Sequence, residues 1–167
     1  MTVSIDKTSL THDMVLKTKK LAVSVLTKAA PYYLFQHFGF NSGKDMNKFD
    51  LSESSPLYGR FTRLSNGLYG LTKYANAIFE GKVISSTDCS SHTLFFIEVD
   101  AAHVVSNEPS CTYDYYLDNI KPVPQPPEEG IVGYICKICG YIHEGEELPE
   151  DIICPLCKHG AIDFVKL

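Results

Sequence analysis

Tyr134-Ile-Cys136-Lys-Ile-Cys139-Gly140-Tyr141 and, across an acidic loop, Cys154-Pro-Leu-Cys157-Lys158 decide how the rest of the chain is read. Each C-x-x-C turn offers two sulfurs. The 14 residues between Cys139 and Cys154 let the chain fold back, so that both pairs meet one tetrahedral ion. The four cysteines therefore read as a metal site. Spacing alone does not choose between zinc and iron, because tetrahedral sulfur ligation suits both. The neighbours lean towards iron. Gly140 follows the second sulfur and can take positive φ, aiming backbone N–H groups at the thiolates, and such hydrogen bonds tune a redox potential. Tyr134, Ile138, Tyr141, Leu156 and Phe164 are expected to form an apolar jacket that keeps water off the sulfurs. A structural zinc ribbon needs less of this.

At 167 residues the chain has room for one medium domain and a small module that needs a metal staple, its own core being too small. Four prolines in Pro122-Val-Pro-Gln-Pro-Pro127 favour a stiff, extended segment, which gives a first domain over 1–121, a linker over 122–130 and a metal module over 131–167. No apolar run approaches the ~20 residues of a membrane span, and Met1–Lys7 has no signal-peptide core. With four of six cysteines in C-x-x-C pairs, reduced thiols and a cytoplasmic location are expected, with no membrane contact. Cys89 and Cys111 read as ordinary small residues.

Charge is uneven. Residues 1–121 balance 12 basic against 12 acidic side chains, whereas residues 130–167 set Lys137, Lys158 and Lys166 against six carboxylates. The module is thus at −3 before the metal. Such a surface excludes nucleic acid, whose phosphates need the opposite sign, and suits a basic protein partner.

Along the first domain, Thr2–Ile5 has strand character, and a turn at Asp6–Ser9 is placed to cap a helix from Leu10 with Leu10, Met14 and Val15 on one face. Leu21–Leu26 reads as a buried strand. Pro31 opens a short helix through Phe38 that Gly39 ends. Tyr74–Ser86 alternates as a long half-buried strand and, after a turn at Thr87–Ser91, His92–Val105 returns as its hairpin partner. The fold class expected is mainly β with short helices.

Tyr-x-Cys-x-x-Cys-Gly-Tyr, Leu148-Pro149-Glu150-Asp151, Cys-Pro-Leu-Cys and a closing Phe164 resemble rubredoxin in the short-loop form appended to rubrerythrins. The resemblance implies one iron held by Cys136, Cys139, Cys154 and Cys157 and cycling between Fe(III) and Fe(II). Rubredoxins usually place Gly after the fourth cysteine, where this chain has Lys158. A left-handed Lys158 would cost roughly 1–2 kcal/mol.

The first domain resembles the FMN-binding split barrel of the flavin reductase-like family, through Val3-Ser4-Ile5-Asp6-Lys7-x-Ser9-x-Thr11-His12, Phe38-Gly39-x-x-Ser42-Gly43-Lys44-Asp45-x-x-Lys48-Phe49, Asp88-x-x-x-His92-Thr93-Leu94-Phe95 and Thr112-Tyr113-Asp114-Tyr115-Tyr116. Such a domain joined to a rubredoxin is the arrangement of the high-molecular-weight rubredoxins, electron carriers of anaerobic bacteria. Physically, Ser4, Lys7, Ser9 and Thr11 put an ammonium and several hydroxyls at a turn feeding a helix N-terminus, which suits the FMN phosphate. An ordinary helix cap explains Ser9 or Thr11 equally well. Two departures stand out: Ser90-Ser91 replaces the family's Gly-Asp, and the chain starts at an interior strand of the family. The fold expected is thus a partial split barrel with an open edge, followed by a small rubredoxin-like fold. A second chain, most simply a homodimer, would cover that edge.

The reading is an electron carrier: NAD(P)H to FMN, FMN to the four-cysteine iron, and on to a reductase such as a flavo-diiron protein. No residue is assigned as catalytic acid, base or nucleophile. The alternatives are a carrier whose barrel remnant binds no flavin and a zinc-ribbon interaction module.

Overall fold

The computed structural model describes residues 1–122, 132–157 and 159–167. Most of the expected linker and any left-handed Lys158 fall outside them. The first domain is built on one hairpin. β5 (Ala75–Cys89) and β6 (His92–Val104) pair antiparallel over almost their whole length, with β1 (Thr2–Asp6) added outside β6 and β2 (Lys20–Leu26) outside β5. The hairpin turn is tighter than expected, since pairing continues to Cys89↔His92. Ser90 takes φ 61° there, the left-handed conformation for which the family's glycine is the cheaper choice, and Asp88 Oδ1 holds it by accepting from the Ser90 N–H at 3.0 Å.

Two cores lie on opposite faces of this curled sheet. Alternation sends Val3, Ile5, Val23, Val83, Phe95 and Ile97 to the face covered by α1 (Leu10–Thr18), whose Val15 is buried among them. Each such side chain contributes about 1.5–3 kcal/mol by leaving water. Met14 is 52% exposed, so the helix's apolar face turns on Val15 and Leu10 instead of Met14. Across the sheet, the small pair β3 (Phe61–Arg63) and β4 (Tyr69–Leu71) closes over Ala30, Leu34, Leu57, Leu71 and Ala75. Glu80, 1% exposed, clamps this cover: its carboxylate accepts from Ser65 Oγ (2.8 Å), the Asn66 N–H (3.0 Å) and His103 Nε2 (2.9 Å).

Among the described residues the four-stranded sheet does not close. β1 and β2 are its edges, and Phe96, beside Thr2 at the β1 edge, is exposed. The expected half-barrel is what forms. The helix predicted to stop at Gly39 does not: α2 (Tyr32–Phe35) widens into a π-helix over Gln36–Phe40 that carries Gly39 inside it. α3 (Tyr113–Tyr115) runs into a second π-helix, Tyr116–Ile120. The metal module is a three-stranded sheet in which β7 (Gly133–Cys136) lies between β8 (Ile142–Glu144) and β9 (Phe164–Lys166). No helix among the described residues is long and apolar enough to cross a membrane.

Candidate metal centre and anion-binding turn

Strand β7 ends on Cys136 and turns at Gly140, whose φ of 79° lets its N–H return to the Cys136 carbonyl at 2.8 Å. The second pair is braced by the Cys154 N–H donating to the His159 carbonyl at 2.8 Å. These turns face one another, and all four Sγ atoms lie within 4.8 Å of each other, with Cys136 to Cys157 at 3.6 Å and Cys139 to Cys154 at 3.4 Å. A tetrahedral ion with metal–sulfur bonds of about 2.3 Å places its sulfurs ~3.8 Å apart, so the donor set fits. Cys136, Cys154 and Cys157 are buried.

Burial pushes the Cys139 thiol up to about 11 and the Cys157 thiol up as well. For Cys154 burial acts the same way, but N–H groups of Cys157 and Leu156 and the neighbouring thiols outweigh it, and the net shift is downward. Four sulfurs packed in a desolvated cage become thiolates together only around a cation. Backbone N–H groups are in place for that state: Tyr141 serves Cys139, Leu156 and Cys157 serve Cys154, and His159 serves Cys157. Of these, the Tyr141 group at Cys139 is the one expected from the Gly140 turn; the others come from the second pair.

The jacket differs from expectation in one member. Tyr134, Ile138, Tyr141 and Phe164 pack at the sulfurs, joined by Leu148 and Ile152, which sequence reasoning missed. Leu156 does not; it is 53% exposed and lines a groove against the first domain. Its place is taken by Phe40, from the first domain, which packs on the same cluster.

The proposed phosphate turn is assembled around β1 and α1. Ser9 is the N-cap of α1: its Oγ accepts from the His12 N–H at 3.2 Å and donates to the Asp6 carbonyl at 2.8 Å. Asp6 also gathers Thr8 through its N–H (2.7 Å) and hydroxyl (2.6 Å), which holds the Asp6 carboxyl below its ordinary value. Lys7 pairs with Asp88 at 2.5 Å, and Asp88 is held below the usual carboxylate range first by that lysine and then by the Ser90 N–H. Thr11 is exposed on α1. Ser4 is exposed on β1, on the face opposite Val3 and Ile5 and so away from α1. The turn therefore groups Lys7, Ser9 and Thr11, with Ser4 reachable only around the sheet edge. His12 is buried, 8% exposed, with Nε2 2.9 Å from Thr93 Oγ1, and so is no surface residue.

A second block joins this turn. A Cβ on Gly43 would stand 2.9 Å from Leu10 Cδ2, so the Ser42-Gly43-Lys44-Asp45 loop, with Lys44 exposed, lies against the first turn of α1. The loop leaves the π-helix that ends in Phe40. Three residues span at most ~10 Å, so one segment reaches both the first turn of α1 and the sulfur cage.

Comparison with known proteins follows this division. Residues 1–123 match the flavin reductase like domain, and residues 134–165 match the rubrerythrin, rubredoxin-like domain. A high molecular weight rubredoxin of Moorella thermoacetica is 30% identical over 99% of this chain and 81% of its own length. A ferric-chelate reductase (NAD(P)H) of Archaeoglobus fulgidus is 32% identical over 69% of this chain and 64% of its own. The crystal structure of an FMN-binding protein from Thermus thermophilus superposes with a TM-score of 0.52 at 22% identity, over 62% of this chain and 52% of that one, a likeness of fold.

Proposed function

Because the chain belongs to the flavin reductase-like family and carries a rubredoxin-like domain behind it, we propose that it is a cytoplasmic electron carrier that accepts reducing equivalents from NAD(P)H through FMN and delivers them from an iron centre to a basic redox protein. The observation that carries this reading is the four-sulfur cage lying against the same segment, Phe40 to Lys44, that reaches the first turn of α1. FMN, when bound, supplies the conversion of a two-electron hydride donor to one-electron chemistry, and iron in the cage takes one electron at a time.

The chain's own residues then have separate tasks. Lys7 and Lys44 supply positive charge for the phosphate, and Thr11 an exposed hydroxyl beside the N-terminus of α1. Ser9 fixes the start of α1 by accepting the His12 N–H. Ser4, across the β1 edge, is placed for the part of the ligand that wraps the edge. A second copy of the chain pairing at that edge would cover exposed Phe96 and complete the flavin site, which makes a homodimer the working assembly. Cys136, Cys139, Cys154 and Cys157 hold the iron, and six carboxylates against three lysines give the module the face on which a flavo-diiron or similar reductase would dock. We place the domain boundaries at 1–121 and 131–167.

The Lys7–Asp88 ion pair and the capping role of Ser9 favour one second reading, a carrier whose barrel binds no flavin. An absorption spectrum separates the two: the proposed function requires both flavin bands and the ferric-thiolate bands in reconstituted, air-oxidised protein. Ferric bands alone, after incubation with excess FMN and gel filtration, support the second.

A further inference from the structure

Phe40 belongs to the first domain but reaches into the metal module. Its ring leaves the first-domain core and packs against the cluster of Cys136, Cys154, Cys157 and Phe164. The segment that presents it is held firmly. A π-helical turn displaces carbonyls from their usual partners, and here they are retaken: Lys48 Nζ donates to the Phe38 carbonyl at 2.7 Å, and Asn41 Nδ2 reaches the Gln36 and His37 carbonyls at 3.4 Å. His37 Nε2 ties the far side by donating to the Lys48 carbonyl at 2.7 Å. Such π-turns concentrate at functional sites.

Two further contacts surround the ring. Tyr32 meets Phe40 edge-on, centroids 6.1 Å apart. From the module side, Leu156 joins Tyr33, Gln36, His37, Phe40 and Asn41 around a groove of about 350 Å³. Lys121 Nζ adds a hydrogen bond to the Lys137 carbonyl at 3.4 Å.

We propose that Phe40 is the first domain's contribution to the metal centre: a positioning residue that seals the sulfur cage on the side facing the first domain and so sets how the bound metal exchanges and, where it is iron, how it takes up an electron. Without the ring, water reaches the sulfurs. Water stabilises the ferrous cage, at −2, more than the ferric cage, at −1, so the midpoint rises when the seal is lost. The inference rests on the reading above for a metal being present but not for which metal.

The test uses the full chain with Phe40→Ala, Phe40→Val and Leu156→Ser, each checked for folding by circular dichroism. Metal release to excess EDTA should quicken at least threefold in Phe40→Ala, whereas Leu156→Ser, at a side chain that stands clear of the sulfurs, should release metal at close to the parent rate. Equal acceleration in both would mean that any change in the groove loosens the cage and would overturn the role given to Phe40. Phe40→Leu should restore most of the protection, and in iron-loaded Phe40→Ala the midpoint should rise. If Phe40→Ala fails to fold, Phe40→Val carries the test. Red protein whose release rate and midpoint are unchanged in the folded Phe40 variant overturns the inference and leaves the electron-transfer reading standing. Zinc-loaded, colourless protein in which Phe40→Ala still speeds release upholds the inference and sinks the iron reading.

Discussion

Gly43 rests on Leu10 so closely that a β-carbon would stand 2.9 Å from the leucine's Cδ2, and this contact fastens the loop bearing Lys44 to the helix that Ser9 caps. The obstructing atom is the tip of a side chain, so Gly43→Ala should be absorbed by a small rotation of Leu10. Gly43→Val should not be. Overpacking of this kind costs about 1–3 kcal/mol, relieved here by lifting the loop away from α1. FMN affinity should fall about tenfold in Gly43→Val with the first domain still folded, read by fluorescence titration. Unchanged affinity would remove Lys44 from the flavin site.

Lys7 is shared between Asp88 and the proposed phosphate. Lys7→Ala should weaken FMN binding by roughly 1.5–3 kcal/mol, the worth of a charge-assisted hydrogen bond. Asp88→Asn keeps the acceptor that holds the Ser90 N–H but releases the lysine, so affinity should rise or hold. Isothermal titration of both variants checks the pair. A loss in Asp88→Asn equal to that in Lys7→Ala would mean the ion pair only shapes the turn.

Glu80 ties the β3–β4 cover to the sheet and is kept below its ordinary 4.5 first by the Asn66 N–H, then by His103 and Ser65. A depressed folded value means the stabilisation is present above pH ~4.5 and is lost as the pH falls through the folded value. Thermal melts of the first domain should therefore drop on the acid side, and Glu80→Gln should show a lower melting temperature at neutral pH with a flatter acid limb. An identical limb in the variant would assign the acid sensitivity to other carboxylates.

The parts of the molecule that were legible in the sequence are those whose signal is local. The sulfur cage was readable because both C-x-x-C turns fix their ligands within four residues, and Gly140 announced the left-handed turn that the structure contains. The long hairpin was readable from alternation, down to the strand on which Phe95 is buried. What was not legible depends on contacts between distant segments. Leu156 looked like jacket because it lies between two ligands, whereas the structure leaves it exposed and packs Phe40, distant in sequence, on the cage. The helix from Pro31 ran past Gly39 because Lys48 and Asn41, outside the helix, support the displaced carbonyls. Glu80 carried no mark of burial, since its three partners come from a turn and a neighbouring strand.

Within the metal module, the small sheet around β7 has little core beyond the cage itself. Cys154→Ser should cost it most of its folding energy, since metal binding and folding are one equilibrium in such modules. Hydrogen exchange should show lost protection across β7, β8 and β9 with β5 and β6 unchanged. Equal loss in the hairpin would show that the two domains fold as one unit.

The most direct measurement is anaerobic reduction of the iron-loaded protein by NADH, followed in the ferric-thiolate bands with and without added FMN. With FMN present the bands should bleach within the lifetime of the assay, two equivalents of iron per NADH, and without FMN they should persist. Bleaching at the same rate in the absence of flavin, or none in its presence while dithionite still reduces the iron, would contradict a route from flavin to metal in this protein.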